Sequence, residues 1–326
     1  MNEATQREAA KWVAKTKPES RDFLVCLEAA TGKTLWRTEV KSKGGATYNN
    51  SGTPAAAEGR VYVLTAASHV SCLDAKTGAV LWEKQPFTKP ADANSSVLVA
   101  DGVVVGSGGS TVGLDARTGE TLWEAKDLPA ANPSPGLWKN GNQTCVVINS
   151  RKLACLDVKT GKVVWEERGG GSSTPAVAGD HLALIIGQKL MAFRLSPQKA
   201  EKLWETPFVD DYASVLISGD YVYAVGAAPR NGKEGRAVCV ELKTGKVAWD
   251  SVVQGGPTCS SPLLADGKIV AYAGGLLTLI RATPEKYTQL GQSPVGGEGY
   301  TSPALCDGKL FVRVNNKVSC YDLSKP

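Results

Sequence analysis

Apolar and polar residues alternate over short runs along the chain, and residues 53–85 show the arrangement well. Four runs occur there: TPAAAE (53–58), RVYVLTA (60–66), HVSCLDA (69–75) and AVLWEKQ (79–85). The runs are short, alternate with period two, and are bounded by glycine, aspartate or serine, which is typical of β-strands and not of a helix. The pattern predicts four short antiparallel strands joined by tight turns.

The same pattern returns about every 40 residues, and its most regular part is a motif that ends in tryptophan. Clear copies are CLEAATGKTLW (26–36), CLDAKTGAVLW (72–82), GLDARTGETLW (113–123), CLDVKTGKVVW (155–165) and CVELKTGKVAW (239–249). The tryptophans themselves recur at Trp36, Trp82, Trp123, Trp165, Trp204 and Trp249. Repeats of this length with four strands each are typical of β-propeller blades. We therefore expect an all-β β-propeller of four-stranded antiparallel blades.

The recurring motif has a structural explanation. Asp74 can accept N–H bonds within its turn, Thr77 can close the turn, and Gly78 can adopt a left-handed conformation without a Cβ penalty. The tryptophan lies on the outermost predicted strand, where its ring can cover the next blade and stack on the turn glycine. The six tryptophans are therefore predicted to dock neighbouring blades.

Both ends of the repeat array are incomplete. The N-terminal copy contains only strands three and four (22–30 and 33–40), and the C-terminal copy contains only strands one to three (300–323). We expect an eight-position ring with an incomplete first blade. The alternative is a closed seven-bladed ring, in which LWRTEV (35–40) completes the last blade and FLVCLEA is surplus.

The chain is expected to have two parts, a tail (1–21) and a propeller (22–326). Residues 4–15 of the tail predict a helix, because Thr5 and Glu8 form a capping box and apolar residues follow at helical spacing. The segment lacks the apolar core of a signal peptide. No run of 18 apolar residues occurs in the chain, so no membrane-spanning helix is expected.

Charge and histidine content narrow the function classes. The formal net charge of +5 over 326 residues is mild and unclustered, which argues against nucleic-acid binding. The chain has two histidines, His69 and His181, and neither has a cysteine or histidine at ligand spacing. A zinc site and a Ser-His-Asp triad are therefore disfavoured.

The eight cysteines do not form an obvious disulfide framework. Five of them occupy the same slot of the repeat: Cys26, Cys72, Cys155, Cys239 and Cys320. Equivalent slots of stacked sheets lie about 10 Å apart, beyond the ~7 Å Cα limit of a bridge. These residues are expected to fill the core, whereas the redox state of Cys145, Cys259 and Cys306 stays open.

The predicted first strands open with small hydroxyl residues, several of them before a proline. Small side chains fit the crowded inner strands, and proline suits a strand's first residue, where no ladder donor is needed. The functional alternative is a polar ligand site that lines the central channel. Its candidate residues are Thr53, Ser96, Ser134, Thr174, Ser214, Ser261 and Ser302.

Charged residues flank several of these strand heads. Asp210, Asp211, Glu298 and Arg168 form a candidate charged rim of the channel. Converging carboxylates could hold calcium or serve in acid/base chemistry, and the structural alternative is solvated loop charges.

The repeated D-A-x-T-G-x-x-x-W run, with S-x-P at strand heads, resembles the pyrroloquinoline quinone (PQQ) repeat over residues 22–324. Propellers of this family usually have eight blades. One branch, the quinoprotein alcohol dehydrogenases, binds PQQ and calcium with an adjacent cysteine pair, which this chain lacks. The other branch is non-enzymatic and includes the lipoprotein subunit of the bacterial outer-membrane β-barrel assembly machine.

The resemblance implies a non-catalytic binding or scaffolding propeller that is exported to the periplasm or cell envelope. We expect a monomer that binds a protein partner or a small polar ligand, with no cofactor and no catalytic residue. A PQQ- or calcium-dependent oxidoreductase-like enzyme and a component of outer-membrane protein assembly are the alternatives.

Overall fold

A computed structural model describes residues 21–41, 52–89, 94–210, 212–227, 234–255, 260–297, 301–314 and 317–323. All regular secondary structure in these ranges is β-strand, and every pair of neighbouring strands is antiparallel. This confirms the all-β prediction. The helix predicted at 4–15, and the tail that contains it up to residue 20, lie outside the described residues.

The chain divides into two compact units, the first ending at Ala131. This unit contains a two-stranded sheet and two four-stranded blades. The two-stranded sheet consists of β1 (Asp22–Leu27) and β2 (Thr34–Val40). Blade one consists of β3 (Ala55–Ala57), β4 (Arg60–Leu64), β5 (Val70–Asp74) and β6 (Val80–Lys84). Blade two consists of β7 (Leu98–Ala100), β8 (Val103–Ser107), β9 (Thr111–Asp115) and β10 (Thr121–Ala125).

The second unit, which begins at Asn132, contains four four-stranded blades and one three-stranded blade. Blade three consists of β11 (Gly136–Asn140), β12 (Gln143–Asn149), β13 (Lys152–Asp157) and β14 (Val163–Arg168). Blade four consists of β15 (Ala176–Ala178), β16 (His181–Ile186), β17 (Lys189–Leu195) and β18 (Ala200–Pro207). Blade five consists of β19 (Leu216–Ser218), β20 (Tyr221–Ala227), β21 (Gly235–Glu241) and β22 (Val247–Val253). Blade six consists of β23 (Leu263–Ala265), β24 (Lys268–Ala273), β25 (Leu276–Arg281) and β26 (Gln289–Pro294), and blade seven of β27 (Ala304–Cys306), β28 (Lys309–Val314) and β29 (Lys317–Asp322).

The fold is a seven-bladed β-propeller. This supports the seven-bladed alternative and corrects the predicted eight-position ring. Seven of the sheets begin with a short innermost strand, whereas the β1–β2 sheet consists only of strands of the third and fourth type. A hairpin without inner strands does not constitute a further blade. The FLVCLEA segment is nevertheless not surplus, because β1 pairs with β2 along its whole length.

The tryptophan motif produces the same register in successive sheets. Cys72 lies opposite Trp82, and a bulge follows at the next residue. The β1–β2 sheet repeats this register with Cys26 opposite Trp36. In the turn between the paired strands, Asp74 Oδ1 accepts hydrogen bonds from the N–H groups of Lys76 (3.0 Å) and Thr77 (2.7 Å) and from the Thr77 hydroxyl (2.8 Å). The hydrogen bonds from Thr77 lower the pKa of Asp74.

The tryptophans dock each blade onto the next one. Trp36 Nε1 donates to the carbonyl of Ala75 at 3.1 Å, and its ring lies so close to Gly78 that an added Cβ would be 2.6 Å from Cδ2. Trp82, Trp204 and Trp249 likewise donate to a carbonyl in the next blade's third turn. The contact requires glycine in the regular turns, because the indole occupies the space of a side chain.

Trp165 is the exception among the docked tryptophans of the second unit. Its indole nitrogen is buried and has no hydrogen-bond partner among the described residues. The facing turn of blade four reads SPQK (196–199), whereas the corresponding turns of blades one to three run from an aspartate to a glycine. The ring still packs against Phe193, Leu195 and Ala200 of blade four.

The cysteine slot is buried only where a complete blade surrounds it. Cys72, Cys155 and Cys239 are fully buried, whereas Cys320 is exposed because β29 has no fourth strand beside it. Cys145, which is outside the slot, lies beside Cys155. A hydrogen bond that the Cys155 thiol donates to Cys145, together with burial, raises the pKa of Cys155.

Candidate functional site

The hydroxyl residues at the strand heads link neighbouring blades. In each recorded contact, the backbone N–H of one strand head donates to the hydroxyl at the equivalent position of the next blade. These pairs are Thr53 to Ser96 (2.9 Å), Ser134 to Thr174 (2.9 Å), Ser214 to Ser261 (3.1 Å) and Ser261 to Ser302 (2.9 Å). The hydroxyls therefore satisfy inner-strand backbone donors, and the Ser261 hydroxyl in turn donates to Ser214 Oγ at 3.0 Å.

A second set of serines, which sequence reasoning missed, precedes these positions. Ser95, Ser173 and Ser260 are buried, and their hydroxyls donate to the carbonyls of Ser107 (2.7 Å), Ala213 (3.0 Å) and Thr301 (2.6 Å). The signal for them is the doubled hydroxyl at residues 95–96, 173–174 and 260–261. Ser95 bonds within blade two, whereas Ser173 and Ser260 bond to the strand head of the next blade, as the second residue of each doublet does.

Of the four candidate rim residues, the structure describes Arg168 and Asp210. Asp210 is only 8% exposed, and its Oδ1 accepts the N–H groups of Tyr212 (2.7 Å) and Ala213 (2.8 Å). It therefore shapes the turn that leads into blade five. Arg168 is exposed at the end of β14 and forms no ion pair with another described residue. Asp211 and Glu298 lie outside the described residues.

Arg168 borders an open cleft of about 430 Å³ in the second unit. Its lining residues are Arg168, Gly169, Gly170, Gly171, Ser172, Ile186, Gly187 and Tyr212. Among the described residues of this lining, the arginine alone is charged, and Tyr212 is 52% exposed. The cleft thus combines a cation, an aromatic ring and a bare stretch of backbone.

Glycine makes the cleft possible in two ways. Gly170 and Gly171 have φ values of +128° and +120°, and Gly187 has φ +56°, in a region that side chains rarely adopt. A Cβ added to Gly170 or Gly187 would meet no atom within 4 Å, so both residues border open space. Gly169, in contrast, is packed against its own blade, since an added Cβ there would lie 2.2 Å from the backbone nitrogen of Leu153.

The described residues do not fit the PQQ and calcium chemistry of the dehydrogenase branch. They contain no group of three or more histidine, cysteine, aspartate or glutamate side chains that could hold a metal ion. His69 lies with Nδ1 3.1 Å from the carbonyl of Ala67, and the sequence has no adjacent cysteines. The described lining of the cleft includes one arginine and no carboxylate, whereas a calcium site is built from oxygen ligands.

The part of the chain that the structure describes also contains no helix long and apolar enough to cross a membrane.

Comparison with known proteins identifies relatives over most of the chain. The family model described as outer membrane protein assembly factor BamB matches residues 20–251. BamB of Moranella endobia is 24% identical over 317 residues, covering 89% of this chain and 78% of that protein. Tetrathionate hydrolase of Acidithiobacillus ferrooxidans is 23% identical over 297 residues, covering 88% of this chain but only 44% of the enzyme.

Solved structures share the propeller fold. The crystal structure of BamB from Moraxella catarrhalis has a TM-score of 0.69 at 18% identity and covers 89% of this chain and 85% of that one. A europium-containing methanol dehydrogenase has a TM-score of 0.65 at 14% identity and covers 89% of this chain and 78% of that one. At these identities the likeness establishes the fold and not the activity.

Proposed function

The chain belongs to the family of the outer membrane protein assembly factor BamB, and from this membership we propose that it is a non-catalytic scaffold in outer-membrane protein assembly. In this role it resides in the cell envelope and binds a protein partner. We infer the process from the relatives that are named as assembly factors, and we assign partner binding to the cleft beside Arg168.

The cleft is the observation that carries the proposal. Arginine and tyrosine are the residue types that most often dominate binding energy at protein interfaces. Arg168 is exposed at a strand end, and Tyr212 is held by a turn that the buried Asp210 fixes through two hydrogen bonds. Both side chains are therefore presented on rigid supports, which lowers the entropy cost of binding a partner.

In this proposal the strand-head hydroxyls have a structural role. Their oxygens accept N–H groups of neighbouring blades, so they are committed to holding the propeller together. A small polar ligand at the strand heads is the alternative for this set.

The experiment is cross-linking in envelope preparations, followed by identification of the captured proteins. Wild type is expected to capture outer-membrane assembly proteins, and Arg168→Glu and Tyr212→Ala should each weaken capture about thirtyfold, the effect of a typical interface hot spot. Arg281→Glu and Tyr321→Ala are matched controls, because both residues are exposed outside the cleft. Failure to recover assembly proteins with wild type, or equal loss in the controls, would contradict the proposal.

The enzyme alternative is tested separately. PQQ with calcium is added to the purified chain, and absorbance and thermal shift are followed. The scaffold proposal predicts no stoichiometric binding, and tight binding with one equivalent of PQQ would overturn its non-catalytic part.

A further inference from the structure

Blade seven ends on an open sheet edge. Its third strand, β29, has no fourth strand beside it in the described part of the chain. The sequence of β29 nevertheless repeats that of β5, since VSCYD (318–322) corresponds to VSCLD (70–74). Val318 is 54% exposed, whereas its counterpart Val70 is fully buried, and Cys320 is exposed in the slot that faces a tryptophan elsewhere. The position of a fourth strand beside β29 is therefore open and bordered by apolar side chains.

In blades two to five, a specific pair of side chains joins the third and fourth strands. One member stands three positions before the residue opposite the tryptophan, and the other directly follows the tryptophan. In blade three these are Lys152 and Glu166, with Nζ 2.9 Å from Oε2. The counterparts in the other three blades are Ser110 with Glu124, Lys189 with Glu205, and Arg236 with Asp250. We call these two positions the strand pair.

The β1–β2 sheet fills the strand pair with different but equally complementary residues. Phe23 stands three positions before Cys26, and Arg37 directly follows Trp36. The guanidinium of Arg37 lies over the Phe23 ring, 3.6 Å from its centroid. The residue after the tryptophan therefore matches its third strand: an acid faces a cation, and an arginine faces an aromatic ring.

In β29 the first member of the strand pair is Lys317, three positions before Cys320. Lys317 is exposed and forms no ion pair with another residue that the structure describes. The matching second member is an acid, as in blades three to five. β2 does not supply it, because β2 is paired with β1 and carries Arg37 at this position, with the same charge as Lys317.

We propose that the open edge of β29 binds an extended segment of a partner protein as a fourth strand. The segment places an aromatic residue opposite Cys320 and, directly after it, a glutamate or aspartate that pairs with Lys317. Backbone hydrogen bonds to the open edge supply affinity, and the alternating side chains supply selectivity. This surface is separate from the cleft beside Arg168, and the inference does not depend on the proposed role in assembly.

The test uses three nine-residue peptides and the reactivity of Cys320. The first peptide has the sequence of residues 119–127, GETLWEAKD, which contains the fourth strand of blade two. The second has alanine for the tryptophan, and the third has arginine for the glutamate that follows the tryptophan. Alkylation of Cys320 by iodoacetamide is followed by mass spectrometry as each peptide is titrated, with the exposed Cys306 as the internal reference.

The first peptide should slow the alkylation of Cys320 and leave that of Cys306 unchanged. Its affinity should be about thirtyfold above that of the alanine peptide, because the aromatic ring is the buried anchor. It should be about fivefold above that of the arginine peptide, as expected for an exposed ion pair replaced by like charges. Unchanged alkylation up to millimolar peptide, or equal affinity of all three peptides, would overturn the inference.

A charge reversal separates recognition of a strand from simple protection of the edge. A lysine that only prevents edge-to-edge aggregation would not select among bound strands. In Lys317→Glu the arginine peptide should bind about fivefold tighter than the glutamate peptide. Lys286→Glu makes the same change at an exposed lysine outside β29 and should keep the wild-type order. The wild-type order in Lys317→Glu would overturn the assignment.

Two further results decide the occupant and the independence of the two surfaces. Self-association in sedimentation that Lys317→Glu abolishes would identify a second copy as the occupant and would overturn the assignment to a partner protein. Arg168→Glu should keep the peptide response of Cys320, and Lys317→Glu should capture assembly proteins as well as wild type does. Loss of the peptide response in Arg168→Glu would overturn the placement of the strand site on β29.

Discussion

Gly78 gives the sharpest test of how the repeated motif holds blades together. It has φ +73°, and an added Cβ would lie 2.6 Å from Trp36 Cδ2 and 2.9 Å from Thr38 Oγ1. Gly59, in the same blade, has φ +72° but no atom within 4 Å of an added Cβ. Gly78→Ala and Gly59→Ala therefore share the backbone cost and differ in the contact with tryptophan.

The expected difference follows from these contacts. Placing alanine in the left-handed conformation costs about 1–2 kcal/mol in either variant. In Gly78→Ala the indole of Trp36 must also move, which breaks its 3.1 Å hydrogen bond to Ala75, a loss of about 0.5–1.5 kcal/mol. Exposing about a third of a ~200 Å² indole adds about 1.5 kcal/mol. We expect losses of about 3–5 kcal/mol for Gly78→Ala and about 1–2 kcal/mol for Gly59→Ala.

The measurement is equilibrium unfolding in urea, followed by circular dichroism and by tryptophan fluorescence. The free energy of unfolding is compared between the two variants and wild type. Equal losses in the two variants would refute the argument that the turn glycine is required by the docked indole.

Three further predictions concern the same interactions. Trp165→Phe should destabilise the fold by about 1 kcal/mol less than Trp204→Phe, because only Trp204 loses an N–H bond; equal losses in urea unfolding would contradict this. The pKa of Asp74 is lowered in the folded state, so its contribution to stability is present above about pH 4 and is lost as the pH falls. Asp74→Ala should therefore flatten the plot of unfolding free energy against pH between about pH 5 and pH 2. An unchanged slope would refute the role of Asp74. Ser261→Ala should cost about 1 kcal/mol of unfolding free energy because the N–H of Ser214 loses its acceptor, and a neutral substitution would favour a ligand-binding role for the hydroxyl.

The fold could be predicted from the chain because each blade is specified locally. The aspartate, threonine and glycine of the CLDAKTGAVLW motif form their turn with neighbours in sequence, and the alternation of apolar residues sets the strands. The blade count could not be predicted this way. The first and last copies of the repeat are both incomplete in the sequence, and no local pattern decides whether they count as one blade position or two.

The candidate site was predictable only in part. Arg168 lines the cleft, whereas Asp210, from the same predicted rim, is buried in a turn. Their sequence contexts do not separate these outcomes, because both residues stand near a strand head. Tyr212 was not recognised, since a single aromatic in a loop carries no periodic signal.

The sequence by itself determined the repeat, the antiparallel strands and the turn chemistry, because those depend on side chains within one hairpin. The tertiary structure decided the blade count and the opening of the cleft beside Arg168. Gly170 is visible in the chain as one glycine among many. It borders open space only in the folded chain, because Arg168, Ile186 and Tyr212, which line that space with it, are brought together from separate parts of the sequence.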